Sequence, residues 1–482
     1  MVIADVEELF LPVLPEDILV NLQESRQLVD DLLEKLPQIW QKNQIVESAI
    51  GAAIKVAYAV GKNGGGKILV MQASFPNVGQ KMCLENREQK KAGDIGTDNE
   101  VLFYKSQNEE YQKLALNCTN FNLSVDLFVF TSQYVDLSTL GVLPQTTGGE
   151  LFHYALHGMV DQQDRVTLYN DLQKVLHMRE TGYQSVMRLR CSKGIEVNPK
   201  FIFGNFFIKN VDLLHMPNID SDKAFGFQMQ ITDTLTASRH ACFQSVLLYT
   251  TTEGVRKMRV MTKCLPVTSS VLDVYRTANV KAIVSLLAKM AVDKAITSQI
   301  KFTREAILNK CVDTVKVYKA LPGVMVNANT VLNLPESLQQ FPLYLLAMLK
   351  HYVFSVMKGI RPDTRSYFFH KFRTASVSQL LKMVHPSLYP LDSHALAHKE
   401  GPLPLPLRLT AAELTRGTVF LLDNYLSLYL WISKTVTTET INTLFGAHEF
   451  LSIPTVTLYP FFFFGYSRYK LFLISAGKPS SA

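Results

Sequence analysis

Two arginines alternate with apolar residues in Val186-Met187-Arg188-Leu189-Arg190-Cys191. A period of two predicts a strand with Met187, Leu189 and Cys191 on one face and both guanidiniums on the other. Arginines at i and i+2 of a strand stand roughly 7 Å apart. Each planar fork can bind a carboxylate bidentately, so the pair has the chemistry of a clamp for carboxylates. The pattern equally describes a solvated strand face whose arginines pair with acids of the same protein. A second basic strand face follows. Phe243 to Thr250 and Val255 to Cys264 flank Thr251-Thr252-Glu253-Gly254, which reads as a hairpin turn. In the second arm Lys257, Arg259 and Lys263 share one side, suited to a membrane surface or an anionic ligand, while Met258, Val260 and Cys264 share the other.

Little else could do covalent chemistry. GxSxG, HExxH, P-loop and paired-carboxylate motifs are missing from the sequence. His153 and His157 would be i, i+4 on a helix, yet two histidines alone make a poor metal site, and His177 has no partner at useful spacing. The six cysteines are scattered, with no CxxC pair, which supports neither a disulfide scaffold nor a zinc site and points to a reducing compartment. Gly64-Gly65-Gly66 lies between a helix and a strand, the place of a C-cap turn rather than a phosphate cradle. No enzyme activity, cofactor or metal is expected of this chain.

The bulk properties describe a globular chain, not a disordered one. Of 482 residues 47% are hydrophobic and 19% charged, and the length implies roughly three domains. The net charge of +7 suits an anionic surface, without the aromatic-basic stripe expected for nucleic acid. The opening MVIADVEELF carries acids where a secretory signal needs basic residues. Phe341 to Met357 is apolar but interrupted by Lys350 and His351, short of a membrane span.

The elements that must hold the basic strands follow from periodicity. Helices are predicted over Glu24–Leu36 and Ile45–Val60, then a buried strand over Lys67–Gln72, a helix near Tyr104–Leu116 and a buried strand over Val125–Thr131, the rhythm of an open parallel sheet. Gly141–Gly149 reads as turns and Gln162–Met178 as an amphipathic helix. From Tyr183 to Val267 the texture is all-β. Helical stripes follow: Val280, Ile283, Leu287 and Met290, then Ile307, Cys311, Val315 and Tyr318, then a helix from Pro342 to before Gly359, then Val377–Val384. Nine bases between Arg276 and Lys319, Lys289 among them, read as a solvated or membrane-facing surface. Strands near Gly417–Leu422 and Leu426–Ser433 and a helix near Thr438–Gly446 form a small α/β module, and Phe461–Phe464 fits it poorly.

The succession of RLRCSKG, FGNFFIKNVDLLHMPNID, FQSVLLYTTTEGVRKMRVMTKCLPV, LLAKMAVDKA, FPLYLLAMLK, LLKMVHPSLY and LTRGTVFLLDNYLSLYLWISK resembles the cargo-binding subunits of the inner COPII coat. VEELFLPVLPEDILVNLQES and GGKILVMQASFPNVG extend the resemblance towards the start, and it runs to about Thr455. It implies a multidomain α+β chain. Residues 1–181 would be the later part of a von Willebrand A-like α/β trunk, 182–268 a β-sandwich and 269–392 an all-helical domain. A linker over 393–401, a gelsolin-like domain over 402–457 and a divergent tail over 458–482 would complete it. The family's zinc finger, which would bind zinc, and the first half of its trunk have no counterpart here, so the resemblance implies an open half-trunk with exposed sheet edges.

By the same resemblance Arg188 and Arg190 match the family's arginine pair for acidic sorting signals. The implied partners are the GTPase-activating coat subunit, paired through the trunk, the coat's small GTPase and the outer coat cage. The cytosolic tails of cargo and SNARE proteins and the anionic endoplasmic reticulum surface complete the set. The implied location is cytosolic, peripheral on endoplasmic reticulum exit sites and COPII vesicles. A rival reading is the sister subunit, which stimulates GTP hydrolysis, although GNFFIKNVDLLHMPNID favours the adaptor. A metal-binding von Willebrand A adhesion module would need a DxSxS strand end, which the sequence does not contain.

Overall fold

The computed structural model describes residues 3–475 apart from 155–161, 325–333, 392–403, 453–469 and a few shorter stretches. The linker over 393–401, Phe461–Phe464 and His157 lie outside the described residues.

The trunk is a parallel three-stranded sheet in the order β1 (Gly66–Gln72), β2 (Leu123–Val129), β3 (Leu151–His153). The first three helices, α1 (Pro15–Ile18), α2 (Arg26–Trp40) and α3 (Ile50–Gly61), precede it. α2 buries no residue, and its Leu28, Leu32, Ile39 and Trp40 stay exposed. β2 is buried at every position, and its Asp126 is neutralised by Lys67 at 3.0 Å. β1 was predicted as buried; it is an edge strand, and Met71 is exposed. Two short helices, α6 (Leu137–Leu140) and α7 (Val142–Thr147), replace the turns expected over Gly141–Gly149. They follow α4 (Arg87–Lys90) and α5 (Glu109–Asn120). Gly149 closes the segment where a Cβ would sit 1.9 Å from the Val125 carbonyl oxygen, a place no other residue fits. α8 (Gln162–Gln173) then leads to the β-domain.

That domain is a five-stranded antiparallel sheet in the order β10 (Arg256–Pro266), β9 (His240–Thr250), β4 (Gly182–Cys191), β7 (Leu213–Ile219), β6 (Phe207–Asn210). A two-stranded sheet of β5 (Ile195–Phe203) and β8 (Gly226–Ile231) covers one face, with Met187, Leu214, Met216, Leu247, Ile202 and Phe227 in one core. The predicted hairpin is present. Its register also sets Cys242 opposite Cys264, joined as a disulfide with Cα atoms 4.1 Å apart, a pairing their spacing of 22 residues did not reveal.

Among the described residues six α-helices follow: α9 (Val271–Thr277), α10 (Val280–Thr297), α11 (Ile300–Lys319), α12 (Phe341–Lys350), α13 (Pro362–Thr374) and α14 (Val377–Val384). The deepest stripe of α10 is Val284, Ala288, Ala291, Val292 and Ala295, one position off the predicted one. The shift buries Lys289, expected on the surface. Its Nζ donates to the carbonyls of Phe372, Arg373 and Ala375 at 3.0, 2.8 and 2.7 Å, satisfying the end of α13. α12 stops at Lys350, nine residues before Gly359, and α13 was not predicted.

Trunk and helical domain share one continuous hydrophobic core. Asp363, at the start of α13, accepts backbone N–H groups of Val135, Asp136 and Leu137 at 2.6, 3.2 and 2.8 Å. Asp136, held at φ 63°, takes the Arg87 guanidinium at 2.7 Å, and Arg361 forks onto Glu88 at 3.0 and 2.6 Å. The last module is a four-stranded sheet, β11 (Ser387–Pro390), β12 (Val419–Asp423), β13 (Ser427–Ile432) and β14 (Lys470–Ser475), with α15 (Thr438–Phe445). Two strands lie outside the predicted module. β11 comes from before the linker, and β14 from the supposed divergent tail adds parallel to β13.

Removing the Lys289 ammonium takes the donor from two buried carbonyls, those of Phe372 and Ala375, and from the partly buried one of Arg373. Lys289→Met is therefore expected to lower unfolding free energy by about 2 kcal/mol in urea titration. Burial among aromatic rings pushes His351 down to about 4. The unfolded imidazole takes up its proton near the ordinary 6.5, so this contribution to stability is complete above that pH and is lost as pH falls towards 4. His351→Phe should make the decline shallower in that window by about 1.4 kcal/mol per pH unit, read from unfolding curves at several pH values.

Candidate functional site

β4 owes its position to close packing at its start. A Cβ on Gly182 would lie 2.6 Å from the Tyr249 ring, so only glycine lets β4 and β9 meet there. The register between them slips between Tyr183 and Val186, with Gln184 at φ 49°, a bulge that re-aims the residues after it. Arg256 of β10 braces it, donating to the Gln184 carbonyl at 2.9 Å and to Thr250 Oγ1 at 2.8 Å. Beyond the bulge the ladder is regular. Met187, Leu189 and Cys191 stand opposite Leu247, Ser245 and Phe243, while Arg188 and Arg190 stand opposite Val246 and Gln244.

Both arginines are exposed, on the face turned away from β5 and β8. Arg188 holds Asp212 through Nε at 2.8 Å, the pairing within the chain that the bland reading of the motif anticipated. Its side chain remains 49% exposed, so that pair is accessible to water and to a competing carboxylate. Arg190 makes no ion pair or side-chain hydrogen bond with any described residue. Around it, Gln244 Nε2 donates to Thr262 Oγ1 at 3.2 Å, and register places Val246 and Val260 beside Arg188. The result is a solvent-facing strip with one free and one lightly held guanidinium, polar at one end and aliphatic at the other. It can bind carboxylates; nothing in it can break a bond.

Lys257, Arg259 and Lys263 are exposed as predicted. They pair with Tyr249, Leu247 and Phe243, so they lie on the sheet face of Met187 and Cys191, opposite the arginine pair. The structure thus does not bring the two basic sets together. Of the bases on the helices, Lys289 is buried, Arg304 donates to the Leu349 and Phe354 carbonyls at 2.5 and 2.7 Å, and Lys301 pairs with Asp98 at 2.9 Å. His153 lies in β3 with its ring against Tyr367, and His177 is exposed after α8. Among the described residues no cluster of three or more His, Cys, Asp or Glu could hold a metal, and no helix is long and apolar enough to cross a membrane.

Sequence reasoning missed Asp212, Gln244, Thr262 and Arg256. Asp212 lies 24 residues from Arg188 in sequence, and only the β6–β7 hairpin brings it alongside. Gln244 and Thr262 follow from the hairpin register, which the Thr251–Gly254 turn could have supplied.

Three family models match in succession: the Sec23/Sec24 trunk domain over residues 1–176, the Sec23/Sec24 beta-sandwich domain over 182–268 and the Sec23/Sec24 helical domain over 279–382. Human protein transport protein Sec24A is 35% identical over 461 residues, covering 94% of this chain and 41% of its own. Dictyostelium discoideum protein transport protein SEC24 is 34% identical over 486 residues, covering 97% and 47%. The chain therefore spans less than half the length of these curated relatives. The crystal structure of the human COPII-coat protein Sec24c superposes with a TM-score of 0.87 at 28% identity, covering 100% of this chain and 65% of that one. With trunk, β-sandwich and helical domains in that order and Sec24 proteins as its relatives along nearly all its length, the chain belongs to the Sec23/Sec24 family.

Proposed function

We propose that this protein is a cargo-selecting adaptor of the inner COPII coat, reading acidic export signals on cytosolic tails as vesicles bud from the endoplasmic reticulum. The carrying observation is the strip on β4, where Arg190 has no ion-pair partner among the described residues, Arg188 is half-exposed beside half-buried Asp212, and both face solvent on a central strand. An extended peptide with two carboxylates spaced i and i+2 matches their interval. The role is one of binding, not catalysis. The partners follow from the family: the GTPase-activating subunit through the trunk, the coat's small GTPase, the outer cage, and the tails of cargo and SNARE proteins. The sheet also has a division of labour, because Lys257, Arg259 and Lys263 turn the opposite way. They suit the anionic endoplasmic reticulum surface, which attracts basic residues at about 1 kcal/mol each near the membrane. The last module is proposed as the gelsolin-like domain.

Binding of a di-acidic tail peptide, followed by calorimetry, tests the strip. Arg188→Ala with Arg190→Ala should weaken it at least tenfold, and unchanged affinity sinks the assignment. Asp212→Asn removes the internal competitor and should tighten binding several-fold, in line with an exposed pair worth up to about 1 kcal/mol. Lys257→Glu with Arg259→Glu and Lys263→Glu should leave the peptide affinity unchanged while reducing sedimentation with phosphatidylserine vesicles. Loss of peptide binding in that triple variant would contradict the separation of the two faces.

A further inference from the structure

Cys242 and Cys264 stand in register across the β9–β10 hairpin, with Cα atoms 4.1 Å apart. Such a short distance marks the narrow, non-hydrogen-bonded pair of an antiparallel ladder. The flanking bonds agree: Val267 N donates to the Arg239 carbonyl at 3.0 Å and Thr251 N to the Val255 carbonyl at 2.9 Å. Hydrogen-bonded pairs therefore fall at odd positions of the second arm, and Cys264 falls in the alternate set.

The surroundings separate this pair from the other cysteines. Cys264 is exposed and Cys242 half-buried, so a small thiol can reach them from solvent. Cys118 is fully buried, with its thiol pushed up to about 12 by that burial, and Cys191 and Cys311 are raised for the same reason. Cys83 is exposed but has no cysteine opposite it. The pair also sits where a bond has mechanical effect. Ser192, two residues after Arg190, grips the Cys242 backbone: its Oγ accepts the Cys242 N–H at 2.6 Å, and its own N–H donates to the Cys242 carbonyl at 2.9 Å. Cys264 lies two residues before Pro266, where β10 leaves the sheet for α9. β10 is an edge strand, exposed at every position and held on one side only.

We propose that Cys242 and Cys264 form a reversible thiol–disulfide site that clasps the outgoing end of β10 to β9 when oxidised and releases it to backbone hydrogen bonds alone when reduced. In reducing compartments disulfides of this kind are transient and redox-sensing rather than structural. The oxidant is a low-molecular-weight disulfide such as oxidised glutathione. One cysteine thiolate attacks it, forming a mixed disulfide and expelling one glutathione thiolate. The second cysteine thiolate then attacks the protein sulfur of that mixed disulfide, closing the Cys242–Cys264 bond and expelling the second. The protein gives up two electrons and two protons, and two molecules of reduced glutathione result; the reverse exchange opens the clasp.

The test equilibrates the full chain across reduced-to-oxidised glutathione ratios, quenches in acid, alkylates and reads the peptides by mass spectrometry, with hydrogen exchange on parallel samples. Expected is a linked peptide containing Cys242 and Cys264 that appears and disappears reversibly, with Cys83, Cys118, Cys191 and Cys311 still alkylated. Amides over 258–270 should exchange several-fold more slowly in the oxidised state, and Cys264→Ser should abolish that difference. Two free thiols at the most oxidising ratio would overturn the proposal. So would a bond that native protein keeps in excess reduced glutathione, or one that forms without altering exchange.

Discussion

One buried carboxylate joins the two largest parts of this molecule. Asp363 opens α13 by receiving three consecutive trunk amides, Val135 to Leu137, in a buried site. Burial and the neighbouring Asp136 charge raise its proton affinity, and the Val135 and Leu137 amides pull it back. Arg87, which holds Asp136, also reaches the Leu102 and Lys105 carbonyls at 2.6 and 3.0 Å, so the trunk loop that receives α13 is tied together by contacts of its own. At the other end of α13, Lys289 of α10 closes the last carbonyls. The helix is thus fixed at its start by a carboxylate that takes trunk amides, and at its end by a lysine that takes carbonyls the helix cannot satisfy itself.

The remaining parts hang from that fixed helix. The chain leaves the β-sheet through β10 into α9 and α10, so the helix carrying Lys289 also places the sheet. α14 begins at a capping box on Ser376 and Gln379 directly after α13, and its Lys382 meets buried Asp423 of the last module at 2.5 Å. β4 sits at the centre of its sheet, braced by Arg256 at the bulge. A binding strip there has a stiff base and solvent in front, which lowers the ordering cost of recognising an extended peptide.

The strand pattern around Arg188 and Arg190 was legible because a half-buried strand leaves its period in the sequence, and the Thr251–Gly254 turn marked the hairpin for a similar reason. The core stripe of α10 was legible only approximately, since Lys289 occupies a position that pattern reading gives to water. α13 was invisible: Asp363, Arg365 and His370 are buried among its aromatics and break any apolar period. Their partners, such as the Val353 and Ser355 carbonyls that take Arg365 at 3.2 and 2.9 Å, come from other segments.

By itself the sequence determined local matters and kinship: which residues alternate, where the hairpin turns, and the succession of segments that marks the family. The tertiary structure decided what those residues are free to do. It engaged Arg188 with Asp212 and left Arg190 open. It set Lys257, Arg259 and Lys263 on the far side of the same sheet, because register across three strands fixes facing in a way that no single strand can. It also paired Cys242 with Cys264 and withdrew Lys289 from the surface. Each outcome depends on a contact between segments distant in sequence, and local periodicity carries no record of such contacts.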